Sequence, residues 1–510
     1  MFNRILQTTF LLAANLGSIA AAQTGNTIGV VVREDGIQPG YTLFAPISAT
    51  EETFLIDDLG RVVNRWESSS RVANSVYLTE DGDLIRTLNP GFGSPISAGG
   101  AGGKIERRNW DGELEWTFLY INNEYRLHHD IEILPNGNIL AIAWEAKSSS
   151  EATAAGRIPG TYGDGLWPDK IIEIEPSGSS GGKIVWEWHA WDHLVQDRDP
   201  ALPNYGDPAD FPHRIDVNYR RGNSSDWMHC NGIDYSPELD QIVISSRSFS
   251  EIWIIDHSIT TKEAAGPAGD LLYRWGNPRA YGRGTTADQQ LFAQHDAKWI
   301  VPGRPGYPGI TIFNNGNGRP GPNYSSVEEI MTPMLRGGSY DIEPGQPFQP
   351  ASPTWSYIAS EPTDFYSSFI SGAERLDNGN TLICSGANGE FFEVRPDGSE
   401  AWRYITPFGD DGRLDQGDSP PPGSNIVFRA ERYDLDFPGF EGRDLTPGPQ
   451  IENYPACPGD LDYDRMIDSK DLGSLLVAWG SSDPAADING DGTVGSDDMG
   501  LLLVGWGPCP

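Results

Sequence analysis

Basic side chains are too few in this chain to suit a polyanion. Lys and Arg number 36 against 72 Asp and Glu, a formal charge of −36. That balance excludes nucleic acid and an anionic membrane as partners. Long apolar runs are also missing. After the first 22 residues, none reaches the length of about 20 that spans a bilayer. Cysteine occurs four times. Cys457 and Cys509 bracket the last segment and are expected to bridge, whereas Cys230 and Cys384 either pair or stay buried thiols. An acidic chain that handles an anion needs a locally positive pocket, because salt screens its general repulsion beyond roughly 8–10 Å. That directs attention to His and Arg.

What is abundant points to β-structure. Gly 60, Pro 39 and Trp 16 suit many short strands joined by turns. The first residues, MFNRILQTTFLLAANLGSIAAAQ, have the form of a secretory signal: Arg4, an apolar middle, and Ala20-Ala21-Ala22 as cleavage site. Gln7, Thr8, Thr9 and Asn15 interrupt the run and argue against a membrane anchor. The mature protein is thus expected to be secreted or periplasmic, with no membrane span.

From about Tyr41 to Pro407 one unit recurs. A strand ends in an Asp/Asn-Gly turn, and a later strand closes on Trp. The closing tryptophans are Trp66, Trp116, Trp186, Trp275, Trp355 and Trp402. LTEDGDL (78–84), LPNGNIL (134–140) and LDNGNTL (376–382) read as hairpins, since Asn-Gly and Asp-Gly tolerate positive φ. Six closures predict an all-β, six-bladed β-propeller; a pair of β-sandwiches with chance Trp spacing is the competing reading. The insertions 189–221 and 277–294 are expected as loops on one face. The segment IVFRAERYDLDFPGFEG (426–442) either closes the ring or packs on its side. The boundaries read as 1–22 signal peptide, 23–443 propeller, 444–455 linker, and 456–510 a small α-helical module.

The stretch WMHCNGIDYSPELDQIVISSRSF (227–249) carries chemistry. His229 and Asn231 precede a turn, and Arg247 ends the strand that follows. Arg offers a fixed fork of donors to an oxyanion, and imidazole works as nucleophile, acid or base near neutral pH. Similar punctuation occurs at His128-His129-Asp130 and Gln294-His295-Asp296. His129, His229 and His295 each fall near a strand start in successive units, so a propeller would bring them to one end of its axis. In a strand only one of His128 and His129 faces that axis. His189, His193, His213 and His257 lack this context and read as structural.

The last segment repeats itself: DLDYDRMIDSKDLGSLLVAWG and DINGDGTVGSDDMGLLLVGWG. Asp487, Asn489, Asp491, Thr493 and Asp498 stand at loop positions one, three, five, seven and twelve, with Gly492 at six, as a Ca²⁺ loop requires. The first loop offers Asp460, Asp462, Asp464, Asp468 and Asp471. It has Arg465 where Gly is preferred, and is expected to be strained or weaker. Calcium is the expected cofactor. The pair resembles a type I dockerin. That implies docking on a cohesin-like protein through Ser469-Lys470 and Ser496-Asp497.

The motifs HHDIEILPNGNILAIAWE, MHCNGIDYSPELDQIVISSRSFSEIWIIDHS, QHDAKWI, FNNGNGRP and ISGAERLDNGNTLICSGANGEFFEV resemble the arylsulfotransferase family of exported bacterial propellers, over about Gly40 to Pro407. The resemblance implies transfer of a sulfuryl group from a phenolic sulfate donor to a phenol acceptor, with no nucleotide sulfate and no active-site metal. It makes His295 the transiently sulfated nucleophile. His129 (or His128), His229, Asn231 and Arg247 complete the site, with Ser371 a further hydroxyl of unsettled position. A binding propeller with an inactive site, and a sulfatase-like hydrolase, are the alternatives.

Overall fold

The computed structural model describes residues 25–509 apart from 92, 162, 221, 223, 336, 455 and 456. The expected signal peptide lies outside the described residues. Six antiparallel sheets form six blades. Their inner strands are Val427–Tyr433 in blade 1, Val72–Leu78 in blade 2, Tyr125–Ile133 in blade 3, Cys230–Ser236 in blade 4, His295–Trp299 in blade 5 and Gly372–Arg375 in blade 6. Each lies beside the next around a closed ring. The ring closes twice. The late strand Val427–Tyr433 pairs with Tyr41–Pro46 as the innermost strand of blade 1. The early strand Gly29–Arg33 pairs outside Glu400–Ile405 in blade 6. Segment 426–442 therefore closes the ring rather than packing on its side.

All six repeated tryptophans sit on the outermost of the four regular strands of their blades. Five hold the next blade by one device. The indole N–H of Trp66, Trp116, Trp186, Trp275 and Trp402 donates to the carbonyl of Asn109, Gly181, Ile259, Pro350 and Asp58 respectively. Each acceptor lies in the connection before the neighbouring blade's outer strand. Trp thus supplies apolar burial and a polar handle together. Trp355, half-buried, instead packs under the Arg375 guanidinium, 4.6 Å from ring centre. The three Gly turns adopt the expected left-handed backbone at Gly82, Gly137 and Gly379, with φ of 82°, 84° and 90°.

The stretch after Gly442 is no free tether. Gly448 N–H donates to Val62 O (2.8 Å), Val62 N–H to Pro449 O (3.1 Å), and Ile451 is buried. Beyond it, helices Ser469–Val477 and Ser496–Val504 each follow an acidic loop. Cys457 and Cys509 are disulfide-bonded across this segment, while Cys230 and Cys384 are buried free thiols. Among the described residues, no helix is long and apolar enough to cross a membrane.

Candidate active site

The histidines converge because the inner strands are not regular where they begin. Pairing with the second strand shifts register near His129, between Cys230 and Ile233, and between His295 and Ala297. Such bulges re-aim side chains. His129 and His229 carry φ of 52° and 53°, and Asp296 51°. These left-handed turns swing both imidazoles out of strand alternation and into contact, ring centres 4.6 Å apart. The glycine run of blade 2 makes room: a Cβ on Gly100 would lie 2.1 Å from His129 Nε2.

His128 does not join them. Its ring stacks on Trp144 at 3.9 Å, its Nε2 is 2.9 Å from Asp169 Oδ1, and its Nδ1 is 2.8 Å from His129 Nδ1. His128 therefore does not take the place of His129 at the axis, contrary to the alternative the sequence left open. Only His129 takes the turned backbone, so His128 keeps the alternation that points it into the blade. It positions His129 from behind.

His295 is the most closely determined group. Asn315 donates both Nδ2 hydrogens, to Ser367 O (2.8 Å) and Ile370 O (3.0 Å). Its Oδ1 must therefore accept, and it lies 2.7 Å from His295 Nδ1. That fixes the proton on Nδ1 and leaves the lone pair on Nε2. The Ile370 N–H donates to that nitrogen at 3.2 Å. Ile370 and Ser371 both have positive φ, 49° and 91°, costly for a β-branched residue. Burial first, then the Arg247 charge, holds the His295 imidazole well below its ordinary pKa. Burial followed by His229, His128, His295 and Arg247 does the same for His129. Both rings are neutral at pH 7.

His229 differs. Its Nδ1 lies 2.5 Å from Asp226 Oδ2, and Asp226 Oδ1 accepts from the Trp144 indole (3.1 Å). Arg247 is half-buried, and its guanidinium makes no hydrogen bond or ion pair among the described residues. Burial, then the neighbouring Arg220, lowers its pKa, while Asp226 opposes this. An unpaired guanidinium among imidazoles is a receptor for an oxyanion. Asn231 is buried and uses one Nδ2 hydrogen on Gln294 O (2.9 Å), which steadies the residue before His295. The Ser371 hydroxyl is engaged by Ser367 Oγ (2.8 Å) and Gly386 N–H (3.0 Å).

Beneath these groups the axis is plugged. Arg429 Nη1 donates to Tyr77 Oη (2.6 Å) and Asp130 Oδ2 (2.8 Å), and its Nη2 lies 3.1 Å from Asp296 Oδ1. Burial opposes the Arg429 charge, and Asp130 and Asp296 more than offset it. The Asp following each catalytic candidate in His129-Asp130 and His295-Asp296 thus ties its turn to one guanidinium. Gly372 is required here, since a Cβ would sit 2.4 Å from Asp296 Oδ2.

Asp226, Asn315 and Arg429 were not singled out in the sequence. Asp226 sits three residues before His229, and Asn315 stands in the FNNGNGRP motif, so both had a visible signal. Arg429 had none, lying in the ring-closing strand. The remaining histidines each have a partner in the fold: His193 pairs with Asp270, His257 with Asp240 and Glu173, and His213 with Leu271 O. Glu145 and Glu187 bind His189 and, against the opposing effect of burial, push its pKa up to about 9.

In the tail, both loops are wired alike. Asp460 accepts from Asp464 N and Arg465 N, and Asp487 from Asp491 N and Gly492 N. Asp471 spans its loop through three backbone donors and Asp498 through two. Arg465 and Gly492 share a left-handed φ, 67° and 91°. The carboxylates of Asp460, Asp462 and Asp464 bring oxygens within 4.8 Å of one another. Asp468 instead caps the following helix, accepting from Lys470 N (2.7 Å), and Lys470 Nζ lies 2.7 Å from Asp464 Oδ2.

A family model described as Arylsulfotransferase (ASST) matches residues 30–404. Comparison with curated protein sequences finds no match. Among solved structures, a protein of unknown function from Bacteroides caccae is similar at TM-score 0.40 and 11% identity, over 77% of this chain and 98% of that one. Virginiamycin B lyase from Staphylococcus aureus gives 0.33 and 11%, over 73% and 87%. At this level neither likeness carries an argument about the chain.

Proposed function

From the premise that the chain belongs to the arylsulfotransferase family, we propose that it moves a sulfuryl group from a phenolic sulfate to a phenol through a sulfated His295. The family supports a sulfotransferase-type activity on phenolic substrates. The observation that carries the finer reading is the fixed tautomer of His295: its Nε2 carries the lone pair, met in the resting chain by the Ile370 N–H, in a site with an unpaired Arg247.

The steps balance. His295 Nε2 gives up its hydrogen bond from the Ile370 N–H and forms a bond to sulfur, and the sulfur–oxygen ester bond breaks with its electron pair on the departing phenolate. His229 gives that oxygen a proton, and Asp226 holds the Nδ1 side of its ring. Burial favours the neutral His129 ring, which then has no imidazolium proton to give. Arg247 and the free Nδ2 hydrogen of Asn231 bind the sulfuryl oxygens as charge moves among them. Asn315 Oδ1 accepts from Nδ1–H and steadies the positive ring of the intermediate. The acceptor phenol then yields its proton to His229, attacks sulfur, and releases Nε2.

Release of 4-nitrophenol from its sulfate should depend on added phenol, and intact mass should show one sulfuryl group on wild type but none on His295→Ala. Phenol-independent release would instead indicate a hydrolase, and no release a binding propeller. For the tail, we propose two calcium loops of the dockerin kind, with oxygens from Asp460, Asp462, Asp464 and Asp471, and from Asp487, Asn489, Asp491, Thr493 and Asp498. Calcium would neutralise the crowded carboxylates, and the module would serve an exported protein as a docking point for a cohesin-like partner. Calorimetric titration of the calcium-stripped chain tests the loops: two ions should bind, and Asp487→Ala should remove one.

A further inference from the structure

The channel has a second end, which sulfuryl transfer does not use. Two residues beyond the Arg429 layer, strand alternation returns five side chains to the axis: Glu132, Asp234, Lys298, Glu374 and Glu431. They line a cavity of about 780 Å³ that none of His129, His229 and His295 touches. The lining also carries Arg107, Arg304, Arg375 and Arg432, and Arg304 Nη1 lies 3.6 Å from Glu374 Oε2. Lys298 Nζ lies 2.5 Å from Glu431 Oε2. Asp234 accepts from Trp299 N (2.6 Å), and Glu374 from Arg432 N (2.6 Å).

What remains is unpaired. Glu431 Oε1 is buried with no partner, in a residue only 7 % exposed. The Glu132 carboxylate makes no hydrogen bond or ion pair among the described residues. Burial, then the surrounding carboxylates, holds the carboxyls of Glu132, Asp234 and Glu431 above their usual range. A bound cation would relieve that penalty and meet the two acceptors left without a partner, Glu132 and Glu431 Oε1, so the cluster favours one.

The kind of cation follows from spacing and size. Among the described residues, three ligand atoms come within 4.8 Å of one another only in the tail, so the floor carboxylates are too spread for a preformed metal site. The cavity is far larger than an ion. Its walls include Tyr77, Trp299 and Tyr433, and the Lys298 ammonium already lies over the Tyr77 ring at 5.9 Å. Aromatic faces accept ammonium groups. The mouth adds exposed Glu80, Asp81 and Asp436, a second acidic tier above the floor.

We propose that this cavity binds a linear polyamine, one ammonium held by Glu132 and Glu431 Oε1 on the floor and another by the acidic rim. The test is calorimetric titration of the full chain with spermidine, with calcium chloride as comparison. One saturable spermidine site is expected, weakened about tenfold or more by Glu132→Gln and by Glu431→Gln, and unchanged in His295→Ala. Glu132 has no partner to lose, so Glu132→Gln carries the test if Glu431→Gln does not fold. No saturable heat at millimolar spermidine overturns the proposal. So does binding that Glu132→Gln leaves intact, which would place the amine on the acidic surface. Calcium binding that Glu132→Gln abolishes, without spermidine binding, would make this a metal site and likewise overturn it.

Discussion

Asn315→Ala isolates the group that sets the His295 tautomer. In the wild type, a proton on Nε2 would face the Ile370 N–H, donor against donor, and leave Asn315 Oδ1 without its partner. Losing two such buried bonds costs about 2–3 kcal/mol, so the wrong tautomer is rare. Alanine removes Oδ1 and with it most of that bias, and leaves Nδ1–H buried and unpaired. The expected loss in kcat/KM is about 10- to 100-fold, or roughly 1.4–2.8 kcal/mol. Three buried hydrogen bonds disappear together, so unfolding stability should fall by about 2–4 kcal/mol. Urea denaturation measures the second quantity, and 4-nitrophenyl sulfate turnover with saturating phenol the first. Asn315→Asp gives a second arm. A carboxylate against Nδ1–H favours the charged ring and should move the acid limb of kcat/KM upward by about one pH unit or more. A folded Asn315→Ala protein with kcat/KM within threefold of wild type would refute the tautomer argument.

Asp226→Asn removes the carboxylate behind His229, so its penalty should grow as the leaving phenol becomes more basic: small with 4-nitrophenyl sulfate, large with phenyl sulfate. Equal losses on both would remove His229 from proton transfer. Arg429→Met strands Asp130 and Asp296 in a dry axis and should cost about 3–5 kcal/mol in urea unfolding; a loss below 1 kcal/mol would show that the plug is dispensable. In NMR titration, the His129 and His295 ring signals should stay unshifted from pH 8 to about 5.5, because both pKa values are depressed. Their neutral forms are favoured by folding, so each makes stability fall as pH drops below the unfolded value of about 6.5, by up to about 1.4 kcal/mol per pH unit. Cys457→Ser opens a disulfide of sequence separation 52 and should destabilise the tail by about 4 kcal/mol in the loop-entropy view, read as earlier melting of that segment with the propeller transition unmoved.

Much of the fold was legible because it rests on local chemistry repeated many times. Each blade carries its own turn and its own closing Trp, and neither needs distant information. Arg247, His229 and Asn231 were legible for the same reason, since one hairpin holds all three. The choice between His128 and His129 was not. Strand alternation says that one of the pair faces the axis, and only the left-handed turn at residue 129 says which.

By itself, then, the sequence determined the number of blades, the histidines at strand starts, and the paired acidic loops of the tail. These are short-range patterns, written within spans of a few tens of residues. The tertiary structure alone decided what faces those histidines. Asn315 reaches His295 from the next strand, Ile370 reaches it from the next blade, and Arg429 arrives across the closed ring from the far end of the chain. Such contacts depend on where the ring closes and where a bulge turns a side chain. Ring closure is set by pairing between strands hundreds of residues apart, and the bulges by irregular pairing inside each blade; neither is written in the hydrophobic pattern of the residues concerned.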